Sequence, residues 1–160
     1  KVKPIRDFVL KYLSNSKISI DPFARNEKLA TYTNDLNPNT AAEYHLDVLD
    51  FVKSIKEKSI EIDLCIFDPP YSPTQIKMSY QSIGLKNENK DFHRVARWSE
   101  EKKILNEIME DNGVFLQFGW NSNGMGKKLG YEIDEILLVS HGAGHNDTIC
   151  VAERKLNFGK

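Results

Sequence analysis

The apolar positions of the chain fall into helical spacing in four places. In segment 4–14 they recur every three or four residues behind Pro4, which predicts a helix with proline in its first turn. Three more helices are predicted over 48–55, 99–111 and 121–130. Asn112 and Gly113 favour a helix end, so they set the end of the second of these.

Strand-like apolar runs lie between the predicted helices. They cover 18–21, 29–33, 45–47, 62–67, 114–118, 133–140 and 148–153. The run at 62–67 is apolar on both faces except at Asp63, as in the buried centre of a parallel sheet. Residues 73–97 have only weak periodicity, and we predict a long loop there.

This alternation of strands and helices predicts an open α/β fold. We expect a mostly parallel sheet with a C-terminal antiparallel hairpin at or near an edge. The 160 residues, 40% of them hydrophobic, suit a single domain with one core over residues 1–160. No separate target-recognition domain is evident in the sequence.

Charge and cysteine content narrow the classes of protein. The net charge of −1 excludes a wide basic surface, so any phosphate binding must be local. Cys65 and Cys150 lie in apolar runs and are expected to be reduced thiols, which favours a cytoplasmic protein. We find no apolar stretch of about 18 residues and expect no membrane span. The chain begins at Lys1 without Met, which suits part of a longer protein.

Acidic residues follow four of the predicted strands. They are Asp21, Asp35, Asp47 and Asp68. Any one of them is as well explained as a helix cap or a turn residue. Because ligands bind beyond the carboxyl ends of the strands in open α/β sheets, four in series favour a ligand site.

The clearest chemical signal is Asp68-Pro69-Pro70-Tyr71, directly after the buried strand. Two prolines fix φ and have no N–H groups, so the carbonyls around them are held rigidly and are free to accept hydrogen bonds. A carboxylate and a carbonyl that accept both N–H bonds of an aryl amine would support the positive charge that develops as it attacks a methyl sulfonium. Tyr71 would stack on an extruded base.

With these residues in place, the sequence resembles the amino-methyltransferases of nucleic acids. This class I family depends on S-adenosylmethionine (SAM) and has the signature D/N/S-P-P-Y/F/W. Segment 19–25 (SIDPFAR) is similar to its cofactor segment, and 34–38 and 45–51 to its second and third acidic strand ends. The resemblance covers residues 17–72 in the family's order. It implies a Rossmann-like methyltransferase sheet and SAM as cofactor.

The resemblance also implies the reaction and the roles of single residues. The Asp form of the tetrad occurs with adenine targets, so we expect methylation of adenine N6 in DNA. Asp21, Phe23 and Ala24 would line the methionine moiety of SAM, Asp35 its ribose hydroxyls and Asp47 its adenine amino group. Asp68, Pro69, Pro70 and Tyr71 would hold the target base.

Cations and aromatic residues are mixed in the segment after the tetrad. Those predicted to bind substrate are Tyr80, Lys90, His93, Arg94, Arg97 and Trp98. Such a mixture suits phosphate contact and base stacking, although a solvated lid with anchoring aromatics explains it nearly as well. His141 and His145 lack the further ligands of a tetrahedral metal site, and we predict no metal.

Three alternatives stay open. Relatives with the same tetrad methylate bases in ribosomal RNA, and related enzymes with Asn-Pro-Pro-Tyr modify a protein glutamine. The third is a non-catalytic subunit that retains the fold and partners an active copy. The support for this third alternative is segment 24–27 (ARNE), which occupies the position where the family usually has glycines. The expected partners are therefore nucleic acid, with DNA favoured over RNA, and a dimer mate or second methyltransferase subunit.

Overall fold

The computed structural model describes residues 2–70, 98–144 and 146–157, and five single positions between 74 and 84. Its helices are α1 (Lys3–Leu13), α2 (Val48–Glu57) and α3 (Ser99–Ile108), with a 3-10 turn at Lys127–Leu129. Its strands are β1 (Ser19–Asp21), β2 (Tyr32–Thr33), β3 (Ile62–Phe67), β4 (Met109–Gly119), β5 (Tyr131–Val139) and β6 (Thr148–Lys155).

All six strands form one sheet in the order β2-β1-β3-β4-β6-β5. Strands β1 to β4 are parallel, and β6 runs antiparallel to both β4 and β5. The predicted mostly parallel sheet with a C-terminal antiparallel hairpin is therefore confirmed. The chain adds β2 on one side of β1 and then β3 on the other, so the strand order switches between β1 and β3.

Helices cover both faces of the sheet. Side chains alternate along β3, so Leu64 and Ile66 pack against the apolar side of α1, which includes Phe8. Cys65 and Phe67 belong to the cluster on the other face, which takes in α2 and α3. Burial on both faces explains why the 62–67 run is apolar almost throughout.

Two of the predicted strands differ from the structure. The run at 29–33 contributes only Tyr32–Thr33 to the sheet. The run at 45–47 forms no strand, and only an isolated bridge joins Asn34 to Tyr44 there. Both runs lie at the β2 edge of the sheet, and the Asn34 side chain bonds to the carbonyl and N–H of Leu46 where a strand would make ladder bonds.

The end of α3 and the start of β4 also differ from the prediction. The helix ends at Ile108, and Met109 already pairs with Ile62 of β3. The next paired residue of β4 is Val114, opposite Leu64, so residues 110–113 form a bulge between them. Asn112 in this bulge has φ 65°, in the left-handed region. Asn112 and Gly113 therefore turn the chain inside a strand and not, as the sequence predicted, at the end of a helix.

The remaining segments are shorter or only partly described. The predicted helix at 121–130 is the three-residue turn Lys127–Leu129. Most of 71–97 lies outside the described residues; within it, Thr74, Lys77, Tyr80 and Gln81 have helical backbone where we predicted a loop. No helix among the described residues is long and apolar enough to cross a membrane.

Candidate active site

Strand ends bring three of the predicted acidic residues to one edge of the sheet. Asp21 ends β1, and Asp35 follows the end of the neighbouring β2. Strand β3 lies on the other side of β1 and is followed directly by Asp68. The strand order switches between β1 and β3, and an open α/β sheet binds its ligands beside such a switch.

The turn after β1 is held by its own polar groups. Asp21 is 3% exposed, and its Oδ1 accepts a hydrogen bond from the Phe23 backbone N–H at 3.1 Å. The Ala24 N–H donates to the Asn34 carbonyl at 2.8 Å. The turn therefore follows β1 in one fixed shape and is tied to the end of β2.

Arg25 takes the backbone conformation that glycine favours. Its φ is 53°, in the left-handed region, and its side chain is exposed. Its N–H donates to Asp35 Oδ2 at 3.1 Å, while Oδ1 of the same carboxylate accepts from the Asn37 N–H at 2.9 Å. The non-glycine residue keeps the chain close to Asp35 at a strain cost of about 1–2 kcal/mol.

Asp47 lies at the start of α2. Its Oδ1 accepts from the Leu49 N–H at 2.9 Å, which makes it the N-cap of the helix. The side chain is half-buried. Asp47 therefore caps a helix in the structure, which is the explanation of this carboxylate that requires no ligand.

Asn34 was not among the predicted site residues, yet it joins three segments of the site. It is 1% exposed. Its Nδ2 donates to the carbonyls of Pro22 and Leu46 at 3.1 and 3.0 Å, and its Oδ1 accepts from the Leu46 N–H at 3.0 Å. This fully bonded amide fixes the turn after β1 relative to the chain that leads to Asp47.

The corner after β3 is described as far as Pro70. Asp68 and Pro70 are half-buried and Pro69 is buried, while Tyr71 lies outside the described residues. Because β3 lies between β1 and β4, the corner stands between the acidic ends of β1 and β2 on one side and the end of β4 on the other.

An aromatic cluster lies beneath the corner. Phe23 packs edge-on against Phe67 and Trp98, with ring centroids 5.2 and 5.4 Å apart, and Phe67 is 5.9 Å from Trp98. Trp98 is 8% exposed and has φ 49° just before α3. The cluster ties the turn after β1 to the start of α3.

A cavity of about 510 Å³ opens beside Pro69 and Pro70, on the β4 side of the corner. Its described lining includes Lys102, Lys103 and Lys128 but no acidic residue. Gln117, 7% exposed, also lines it. This positive lining contrasts with the net charge of −1 for the whole chain.

Lys102 holds the far wall of the cavity from α3. Its Nζ donates to the carbonyls of Asn123 and Gly124 at 3.0 and 2.8 Å. The ammonium also lies 6.0 Å from the ring centroids of Phe67 and Phe115. Burial lowers the pKa of Lys102 from its ordinary value, although the nearby Glu153 carboxylate opposes that effect.

Glu153 of β6 holds the same wall from the sheet. It is 3% exposed, and its carboxylate accepts from the N–H groups of Met125 and Gly126. A Cβ on Gly124 would lie 1.7 Å from Glu153 Oε2. Two opposite charges, half-buried Lys102 and buried Glu153, thus bind the backbone of 123–126, one through carbonyls and one through N–H groups.

The residues predicted to bind substrate are only partly described. Trp98 lines the cavity, and Tyr80 is a single described position. Lys90, His93, Arg94 and Arg97 lie outside the described residues. Lys102, Gln117 and Lys128, which no local pattern singled out as site residues, line the cavity instead. No group of three potential metal ligands occurs in the described part of the chain.

Comparison with known proteins identifies the fold. No protein-family model and no curated protein sequence matches the chain. Solved structures match over nearly its whole length. One is described as a SAM-dependent methyltransferase from Streptococcus mutans, with TM-score 0.60 and 15% identity over 95% of this chain and 48% of that one.

Two further structures agree. TrmN from Thermus thermophilus has TM-score 0.59 and 12% identity, covering 94% of this chain and 48% of its own. The N-methyltransferase NodS from Bradyrhizobium japonicum, solved with S-adenosyl-L-homocysteine, has TM-score 0.57 and 11% identity, covering 97% and 88%. The chain thus has the Rossmann-like methyltransferase fold, and it spans about half the length of the first two of these structures.

Proposed function

We propose that the protein transfers a methyl group from SAM to N6 of adenine in DNA. The observation that carries this proposal is the position of the Asp68-Pro69-Pro70 corner. It stands beside the switch in strand order, with acidic strand ends on one side and an open, positively lined cavity on the other. A methyl donor and an acceptor can therefore reach the same corner from opposite sides.

The acidic side fits SAM. An ionised carboxylate has about four lone-pair sites, and Asp35 uses two of them on backbone N–H groups, so acceptors remain for ribose hydroxyls. Asp21, Phe23 and Ala24 would line the methionine moiety, and Asp47 would accept from the adenine amino group. When bound, SAM supplies an electrophilic methyl group on a sulfonium. Arg25 supports this fit because it keeps a glycine-like backbone.

The corner orients the acceptor amine and stabilises its developing charge. The Asp68 carboxylate and the carbonyl of Pro69 accept its two N–H bonds, which directs the nitrogen lone pair away from them. The new N–C bond would form as the methyl–sulfur bond of SAM breaks, and the positive charge on nitrogen would then lie beside the Asp68 carboxylate. That carboxylate then takes the released proton directly or through water.

The remaining predicted residues bind the rest of the acceptor in this proposal. Tyr71 stacks on the target base, and Trp98, which lines the cavity, contacts the acceptor as well. Tyr80, Lys90, His93, Arg94 and Arg97 contact phosphates and bases. The corner binds an amino group rather than a sugar, so a base amino group of RNA is the second candidate acceptor.

The test is transfer of tritiated methyl from SAM to duplex DNA, single-stranded DNA, ribosomal RNA and protein. We expect label in DNA adenine, and Asp68→Ala should reduce the rate by about 10²-fold or more. The matched control is Asp50→Ala, an exposed aspartate of α2, which should keep the wild-type rate. Label only in RNA would select the second candidate, and an Asp68→Ala rate equal to wild type would exclude the mechanism.

A further inference from the structure

Asn34 is connected to each of the three segments that the proposed function assigns to SAM. It lies directly after β2 and directly before Asp35, the residue assigned to the ribose hydroxyls. Its backbone N–H donates to the Asp21 carbonyl at 2.9 Å, and its carbonyl accepts from the Ala24 N–H at 2.8 Å. The backbone of this one residue therefore joins the methionine end of the proposed site to the ribose end.

The side-chain amide of Asn34 makes the third connection. Its Nδ2 donates to the carbonyls of Pro22 and Leu46 at 3.1 and 3.0 Å, and its Oδ1 accepts from the Leu46 N–H at 3.0 Å. Pro22 belongs to the turn assigned to the methionine moiety, and Leu46 precedes Asp47, which is assigned to the adenine amino group. A single amide thus bridges the two ends of the proposed site.

Regular sheet pairing contributes little to this part of the chain. Strand β2 has two residues, and the described pairing beyond it is the isolated bridge between Asn34 and Tyr44. The segment that leads to Asp47 therefore depends on the Asn34 amide for its distance from the turn after β1.

The bonding requires an amide and not merely a side chain of this size. Asn34 uses both of its N–H donors and its oxygen, and it is 1% exposed, so water does not replace these bonds. An aspartate has the same shape, but its ionised form accepts hydrogen bonds and donates none. Its charge would face two carbonyl oxygens in a buried position.

We propose that Asn34 is a positioning residue for the cofactor, whose amide holds the turn after β1, Asp35 and Asp47 at the spacing that the two ends of SAM require. This rests on the proposed function for the place of SAM. Groups that are already in position lose less entropy when a ligand binds, so the amide contributes to cofactor affinity. It does so through its neighbours, because it is buried beneath them.

Asn34→Asp converts the amide into a group that responds to pH. Burial and the two facing carbonyls should raise the pKa of the new carboxyl above about 3.9, the ordinary value of an aspartate. When it is protonated, its O–H donates to one carbonyl and its other oxygen accepts from the Leu46 N–H, which restores part of the bonding. The cofactor affinity of the variant should therefore be highest in acid and fall as the pH rises through that pKa.

Calorimetry with S-adenosyl-L-homocysteine between pH 5 and 9, below the thermal transition of each protein, measures this. At pH 9 Asn34→Asp should bind about 10–100-fold more weakly than wild type, as expected for lost buried hydrogen bonds. The ratio of the two dissociation constants should shrink by about threefold or more toward pH 5, at the pH where the variant also gains stability. Asp21, Asp35, His45 and Asp47 titrate in both proteins, so the ratio removes their effect.

Two further variants assign the effect to the buried amide. Asn39→Asp makes the same chemical change at an exposed turn position five residues later and should bind like wild type at every pH. Asn34→Ala removes the amide without adding a charge, so it should bind about tenfold more weakly at every pH. It also provides the measurement if Asn34→Asp does not fold.

A ratio that stays constant from pH 5 to 9 in folded Asn34→Asp would overturn the proposal. So would a folded Asn34→Ala variant with wild-type affinity. A wild type that does not bind S-adenosyl-L-homocysteine would overturn it together with the proposed function. Cofactor binding with the expected pH dependence, but without methyl transfer to DNA, would count against the proposed function alone and leave the role of Asn34 supported.

Discussion

Two cavities of similar size lie at opposite ends of the sheet, and their charges differ. The one at the carboxyl edge measures about 510 Å³ and is lined by three lysines without an acidic residue among the described lining. The one at the amino edge measures about 560 Å³ and contains both signs. There Lys11 pairs with Glu135 and Arg154 with Asp134, each at 2.6 Å.

The two cavities also differ in the hydrogen bonding of their polar side chains. At the amino edge, Asp63 accepts from Ser16 Oγ at 2.5 Å and from the N–H groups of Lys17 and Ile18 at 2.7 and 3.2 Å. At the carboxyl edge, the amide oxygen of Gln117 lacks a partner among the described residues. Volume alone does not mark a ligand site. The two cavities differ instead in the charge of their lining and in the acceptor that stays unpaired among the described residues.

The largest expected effect of breaking this contrast comes from Gly124→Ala at the carboxyl edge. The new Cβ would lie 1.7 Å from Glu153 Oε2, so the carboxylate must leave the N–H groups of Met125 and Gly126. We expect a loss of roughly 1–3 kcal/mol in the free energy of unfolding, as for other overpacked sites. Polynucleotide binding should weaken as well, by about tenfold, because the cavity wall moves.

Gly142→Ala is the control that distinguishes an effect on the cavity wall from general destabilisation of the fold. Gly142 has φ 81° and nothing within 4 Å of an added Cβ, so the variant strains the backbone outside the cavity lining. It should cost about 1 kcal/mol and leave binding unchanged. Denaturant unfolding and strand binding measure both variants, and similar losses of binding in the two would refute a preformed wall.

Hydrophobic periodicity was sufficient to predict the fold, because a strand that is buried on both faces is apolar at nearly every position. The 62–67 run was predicted with its observed ends, since a central parallel strand must be apolar on both sides. The strand prediction at 45–47 was wrong for the opposite reason, because the contacts that decide it come from a distant residue. Its residues have strand-like character, but Asn34 supplies hydrogen bonds to Leu46 that a ladder would otherwise make, and no local pattern reports that distant amide.

The residues of the candidate site also differ in whether the sequence alone can reveal them. The sequence predicts Asp68, Pro69 and Pro70 as site residues because their chemistry is contiguous along the chain. Lys102 and Glu153 are 51 positions apart and act on a third segment, so only the fold brings them together. Asp63 shows the converse. The sequence marks it as a lone charge inside an apolar strand, and three donors from residues 16–18, which lie 45 to 47 positions earlier in the chain, explain it as structural.

Asp63→Ala tests that explanation at the amino edge. The substitution leaves the donors of Ser16, Lys17 and Ile18 without their acceptor, and because they are only partly buried, water replaces some of what is lost. We expect a loss of about 1–2 kcal/mol in the free energy of unfolding. Methyl transfer and strand binding below the thermal transition should stay at wild-type levels. A loss of either without unfolding would make the amino edge part of the functional site.

The smallest effect is expected for Glu135→Gln, which removes one partner of the amino-edge pairs. Hydrogen bonds from Lys11 and Tyr12 lower the pKa of Glu135 below its ordinary value of 4.5. A carboxyl with a lowered folded-state pKa contributes stability above its unfolded-state pKa and loses that contribution as the pH falls through the folded-state value.

Wild type should therefore be more stable than the variant at pH 7, and the difference should vanish in acid. The side chain is 36% exposed and screened by solvent, so the difference at pH 7 should stay below about 1 kcal/mol. Glu132→Gln, an exposed glutamate of the same strand, is the control. Unfolding curves between pH 3 and 7 decide the matter, because a difference that persists at pH 3 would show that packing, rather than the charge pair, holds this edge together.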